Sequence, residues 1–207
     1  MSAIRDGAVR WSYRYTRTCD GRPALAADGT IYVGLSCLSG DSSSIDLIAL
    51  NSDGTLKWSG SVGTSYPPVV GADGTLYVYG SQGLSALNPA DGTVRWSYGG
   101  GATQKNQPRT APLLGADGLI YVGTSTNLEF GSGGNLAALS PAGQVVRSFI
   151  TEGSFYESLT MGPDGTVYVA TSNNEFMAIP TQAGGLAASP WPTIYRDSRN
   201  TGQAVAR

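Results

Sequence analysis

The chain has 207 residues, a formal net charge of −2, no histidine, and 29 glycines beside only 14% charged residues. The lack of histidine excludes a Ser-His-Asp or Cys-His catalytic unit, a histidine-ligated metal and a histidine pH switch. The near-neutral charge argues against nucleic acid as a partner, the short apolar runs cannot span a membrane, and the composition is too apolar and too weakly charged for a disordered chain.

The first predicted element is a strand over 7–14, where Val9, Trp11, Tyr13 and Tyr15 alternate with Arg10, Ser12 and Arg14. A recurring phrase then orders the rest: DGTIYV at 28–33, DGTLYV at 73–78, DGLIYV at 117–122 and DGTVYV at 164–169, with steps of 45, 44 and 47 between the aspartates. Self-similarity at this period marks one supersecondary unit stacked several times. In each copy an Asp-Gly pair sits between two β-branched and aromatic runs, which predicts a two-residue type I′ hairpin.

The first repeat (20–60) is expected to hold strands at 23–27, 30–35, 46–51 and 55–59. The second (66–98) has them at 68–72, 75–79, LSALN and TVRWSY; the third (110–150) at 112–116, 119–124, 135–140 and 144–149. Four antiparallel strands per repeat is the unit of a β-propeller blade. The fourth repeat (157–180) has strands at 158–161, 166–171 and 175–180, but GLAASPWP carries Pro190 and Pro192 where a fourth is due, and proline removes ladder donors. DGAVRWSY at 6–13 nearly duplicates the fourth strand DGTVRWSY at 91–98. The N-terminal strand is therefore expected to complete the last blade and close the ring, which shields its edges. The fold class is thus an all-β propeller in one domain with a C-terminal tail at 186–207, either a four-bladed monomer or a homodimer of half-rings.

ALNPADGTVRW at 86–96 resembles the tryptophan-docking motif of the PQQ-type, quinoprotein-like β-propeller repeats, with Ala86, Asn88, Asp91, Gly92 and Trp96 at the matching positions. ALNSDGTLKW at 49–58 matches with one turn residue fewer, and Trp11 ends the N-terminal copy. The resemblance implies that Trp11, Trp58 and Trp96 pack between blades. ALSPAGQVVR departs, with Arg147 in the tryptophan's place, which implies a looser interface there. The tail SPWPTIYRDSRNTGQA looks like the closing segment of bacterial proteins with these repeats. Quinoprotein dehydrogenases similar to this repeat carry an adjacent cysteine pair and a calcium site. Here Cys19 and Cys37 are far apart in sequence, and eight of the 11 aspartates precede glycine, seven of them in repeat turns. No cofactor and no metal are therefore expected. DSSSID at 41–46 lacks the spacing of a calcium loop, and GGGATQK does not match a phosphate-binding loop.

The two cysteines pass a partial geometric test. A two-residue turn at Asp28-Gly29 pairs Ala27 with Thr30 and leaves Cys19 and Cys37 one step from facing each other. A bulge at Gly21 would bring them within disulfide reach; two free thiols are the alternative. A disulfide implies an oxidising compartment. MSAIRDGAVRW has no apolar core of signal-peptide type, so an extracytoplasmic protein would take its export signal from elsewhere.

The Asp-Gly turns are short and share one face, while the other connections vary, and variable loops on a rigid scaffold are where binding concentrates. The segments leading into each first strand are expected to ring the central axis and to line a funnel with Arg22, Tyr66, Arg109, Tyr156 and Glu157. The alternative is ordinary loop residues around a water-filled channel. Three functions are compatible with these residues: a non-catalytic binding or scaffold domain outside the cytoplasm with a protein or peptide partner, of the kind the repeat family uses in envelope assembly and sensor proteins; a fragment of a PQQ-dependent oxidoreductase; and a glycan-binding propeller.

Overall fold

The computed structural model describes residues 1–15, 19–37, 46–62, 66–80, 83–99, 107–108, 110–125, 133–155, 158–194 and 196–197, with the backbone alone at 19, 20, 36, 37, 46, 107, 108 and 125. All its regular elements are strands. They begin with a two-stranded hairpin of β1 (Ser2–Arg5) and β2 (Ala8–Ser12). Blade 1 runs β3 (Cys19–Leu25), β4 (Ile31–Cys37), β5 (Asp46–Leu50) and β6 (Leu56–Ser61); blade 2 runs β7 (Val69–Val70), β8 (Leu76–Gly80), β9 (Gly83–Leu87) and β10 (Val94–Tyr98). Blade 3 holds β11 (Gln107–Pro108), β12 (Leu113–Leu114), β13 (Ile120–Ser125), β14 (Gly134–Leu139) and β15 (Val145–Thr151), with β11 and β12 both paired to β13. Blade 4 has three strands, β16 (Thr160–Met161), β17 (Val167–Ala170) and β18 (Phe176–Ile179). Each sheet is antiparallel and consecutive, the propeller arrangement the repeats predict.

The hairpins inside the blades differ from expectation in one residue. Ala26 N–H bonds Thr30 O and Gly29 N–H bonds Ala26 O, so the loop is the three residues Ala27, Asp28 and Gly29. Gly29 has φ +85° while Asp28 does not reach positive φ. This is a type I turn closed by a left-handed glycine, not a type I′ turn. The side chain supports this turn. Asp28 Oδ1 accepts the Thr30 amide at 2.8 Å and Oδ2 accepts the Thr30 hydroxyl at 2.9 Å, an Asx turn that fixes the aspartate in ordinary φ. The extra loop residue shifts the register by one, so Cys19 faces Cys37 directly across β3 and β4. No bulge at Gly21 is needed. The type I′ turn does occur at Asp6-Gly7, between the paired Arg5 and Ala8, where both residues have positive φ (53° and 73°).

Four apolar clusters sit between successive layers rather than inside any one sheet. Trp11, Tyr13 and Tyr15 pack on Val33, Leu35, Ile48 and Leu50 of blade 1. Tyr32, Leu47 and Ala49 meet Leu76, Val78 and Leu87 across blades 1 and 2. Tyr77, Leu84 and Ala86 meet Ile120, Val122 and Leu139 across blades 2 and 3, and Tyr121, Leu136 and Ala138 meet Val167, Val169 and Ile179 across blades 3 and 4. The tyrosine of the first three DG-x-x-Y-V phrases thus points toward the following blade, and the valine beside it toward the preceding layer, as strand alternation requires.

The expected ring closure is not formed. β2 is bonded to β1, and among the described residues β18 carries no fourth strand. β1 lies only a two-residue turn away from β2, so their pairing closes the shortest possible loop. The hairpin reproduces the outer half of a blade. Ala3 pairs with Trp11 as Ala86 pairs with Trp96, the register slips at the same place, and the Ser2 and Ser12 hydroxyls lie 2.8 Å apart like those of Ser85 and Ser97.

The tail takes the place a fourth strand of blade 4 would have claimed, but on the inner side. Trp191 O accepts the Val70 amide and Pro192 O the Leu114 amide, both at 2.8 Å, and Ala116 N–H donates to Gly185 O. Trp191, Ile194 and Ala183 are buried at the three interfaces between the four blades. The free edges of β7 and β12 are thereby satisfied by one segment, which accounts for backbone groups that would otherwise be buried unpaired.

Candidate functional site

The chemistry-bearing side chains of the repeats are occupied by the turns. Asp53, Asp73, Asp91 and Asp164 each bond the amide and hydroxyl of the threonine two residues on, at 2.6–3.0 Å, as Asp28 does. Asp117 has Leu119 in that place, and its second oxygen accepts the Tyr121 hydroxyl at 2.7 Å. The threonine bonds hold Asp53, Asp91 and Asp164 below the ordinary carboxylate range. At Asp28 and Asp73 partial burial pushes the carboxyl up. It is outweighed by the same threonine bonds, with Lys57 near Asp28 and Arg95 near Asp73 adding to them. Lys57 Nζ donates to Thr30 at 3.1 Å and Arg95 Nη1 to Thr75 at 2.8 Å. The basic residues of the fourth strands therefore brace the first hairpin of their own blade, besides guarding an edge. Burial pushes the Tyr32, Tyr77 and Tyr121 hydroxyls up to about 12, and the aspartate of the same phrase adds to the shift.

These residues do not fit a calcium–quinone centre. The turn carboxylates are engaged by threonine or tyrosine, and among the described residues no three of His, Cys, Asp and Glu converge. The two cysteines stand on neighbouring strands and not side by side in sequence.

The tryptophans named above each reach the next layer. Trp11 Nε1 donates to Ser52 O at 2.9 Å, Trp58 to Pro89 O at 2.9 Å and Trp96 to Pro141 O at 2.8 Å. Each indole also lies against the turn glycine there, Gly54, Gly92 or Gly143. The acceptor is always the turn between the third and fourth strands of the following blade. Among the described residues blade 4 has no such turn, which explains the departure at Arg147. Its guanidinium donates instead to Gln182, just beyond β18.

Of the five funnel residues, Arg109, Tyr156 and Glu157 lie outside the described residues. Arg22 is exposed on β3 opposite Gly34. Tyr66 leads into β7 with its ring 5.5 Å from that of Tyr79, packed against the cluster between blades 2 and 3. The two are not brought together by any contact described. The inner edges of β7 and β12 are covered by the tail, which the sequence reading did not place there. A groove of about 330 Å³ opens instead between the N-terminal segment and blade 1, lined by Tyr13, Tyr15, Ile48, Ser59, Gly60 and Ser61. The alternating tyrosines of 13 and 15 were the signal for it.

The PQQ_2 family, described as outer membrane protein assembly factor BamB, matches residues 2–205. The chain belongs to this family. No curated protein matches it. Among solved structures it is similar to BamB from Moraxella catarrhalis, at 15% identity and a TM-score of 0.51 over 92% of this chain and 69% of that one. It is similar to the WD40 β-propeller domain of Doa1 at 13% identity and a TM-score of 0.56, over 86% and 56%. The extracellular domain of a B. thetaiotaomicron protein named as a one component system matches at 19% identity and a TM-score of 0.54, over 97% and 25%. These likenesses establish the propeller fold. The chain spans only part of the length of each.

Proposed function

We propose that this PQQ_2 chain is a non-catalytic propeller scaffold that binds a protein partner outside the cytoplasm. The observation that carries the reading is the engagement of the repeat carboxylates in their own turns, which leaves the repeated chemistry of the blades to hold shape and the variable connections to hold a partner. The family's description as an outer membrane protein assembly factor supports a protein partner in the cell envelope. The extracellular domain of similar fold from the one component system is in keeping with that location. In this reading Arg22, Tyr66, Arg109, Tyr156 and Glu157 face the partner. Cys19 and Cys37, facing each other across β3 and β4, form a disulfide, as an oxidising compartment allows.

Chemical cross-linking of the purified chain to a detergent extract of outer membranes, followed by mass spectrometry, tests this. The expected result is a defined set of envelope proteins captured by the wild type and lost in a Tyr66→Ala, Arg109→Ala double variant. Capture unchanged in that variant would remove the funnel. Binding on a glycan array, or a thermal shift with PQQ and calcium, would replace the scaffold reading with a carbohydrate-binding or a quinoprotein one.

A further inference from the structure

The two ends of the blade array are the two halves of an interface that the chain already makes three times. On blade 4, Tyr168 pairs with Ala178 and Ala170 with Phe176. Their equivalents in blades 1 to 3 are Tyr32, Tyr77 and Tyr121; Ala49, Ala86 and Ala138; and Leu47, Leu84 and Leu136. All nine are at most 5% exposed, covered by the following blade. On blade 4 the same face is open: Phe176 is 74% exposed and stacks on Tyr168 at 6.0 Å, and Ala178 is exposed. At the other end, Ile4 pairs with Val9 as Leu50 pairs with Leu56, Leu87 with Val94 and Leu139 with Val145. Leu50, Leu87 and Leu139 are fully buried against the preceding layer, whereas Ile4 is 69% exposed.

We propose that the open face of blade 4, built on Tyr168, Phe176 and Ala178, docks the Ile4 face of the N-terminal hairpin of a second copy of this chain. The occupant follows from continuity. Each open face is the counterpart of the other by position in the repeat, and every copy carries both. Contact between unlike faces of identical chains is heterologous and propagates head to tail until it closes. An unlike partner would have to imitate the outer half of a blade; a second copy already has one.

Light scattering on the full chain over a range of concentrations tests the proposal. The expected result is a species heavier than the 21.4 kDa of one chain. A single species of twice that mass reports a closed pair, and a ladder growing with concentration reports an open array; both carry the proposal. Phe176→Glu and Ile4→Glu each change a side chain that is exposed in the single chain, so both variants keep the wild-type circular dichroism spectrum and lose the heavier species. Mixing the two restores part of it, because one intact contact remains between them, and the double variant restores none. A wild type that stays at the mass of one chain throughout, or association that survives Phe176→Glu, would overturn it.

Discussion

Gly92 lies against the six-membered ring of Trp58, so closely that a β-carbon built on it would stand 2.8 Å from Trp58 Cε3. It also has φ +76°. Gly118 has nearly the same φ, +79°, but open space around it. The two positions separate backbone strain from packing. Gly118→Ala is expected to cost about 1–2 kcal/mol for placing a β-carbon in left-handed conformation. Gly92→Ala adds roughly 1–3 kcal/mol more for displacing the indole. Urea denaturation of both variants measures the difference; equal midpoints would show that the tryptophan is not pressed on its glycine.

Trp191 is expected to act as the anchor of the tail. Its side chain is 5% exposed between blades 1 and 2, and its carbonyl holds Val70. Trp191→Ala should cost about 3–5 kcal/mol and speed hydrogen exchange at the Val70 and Leu114 amides. Those amides remaining protected would mean that the inner edges do not depend on the tail.

Stability should be bounded on both sides of neutral pH. The turn aspartates have folded-state values below their unfolded ones, so their contribution is complete above about pH 4 and is lost as pH falls through the lowered folded values. Asp73→Ala removes hydrogen bonds to an ionised acceptor and should cost about 1–3 kcal/mol at pH 7, with a shallower acid limb. The tyrosines act on the other side. Raised to about 12, Tyr32, Tyr77 and Tyr121 stay neutral in the fold while the unfolded chain ionises from about pH 10, so stability declines between those values. Phenolate absorbance followed alongside circular dichroism checks this: these rings should ionise only as the β signal is lost.

The facing pair Cys19 and Cys37 gives a prediction that needs no partner. Thiol titration of the unreduced, denatured chain should find no free thiol. Reduction should lower stability by about 3 kcal/mol, the magnitude expected for closing a loop of this length. Two titratable thiols would remove the chemical argument for an oxidising compartment.

Much of the architecture was legible in the chain because the repeat puts the same physical instructions in each copy. The DG-x-x-Y-V phrase marked the first hairpin, and the basic-Trp alternation marked the outer strand. Turn type differs from the Asp-Gly expectation because the aspartate caps the amide two residues on, whether that residue is Thr30 or Leu119. The likeness of DGAVRWSY to DGTVRWSY correctly identified an outer strand. MSAI before it, so close to LSAL before the other, was the overlooked sign that its third strand came with it. The tail was illegible for a different reason. Its bonds to β7 and β12 join residues distant in sequence, and a segment with Pro190 and Pro192 has no periodicity to reveal them.

That tail has a consequence for how the protein is made. Val70 leaves the ribosome long before Trp191 exists, so the inner edges of blades 2 and 3 remain bare until the segment from Gly185 to Pro192 is synthesised. Nascent molecules wait with open strand edges, the condition in which β proteins mispair. The stitch over these edges is sewn late, and any pause in translation before Trp191 prolongs the need for a chaperone.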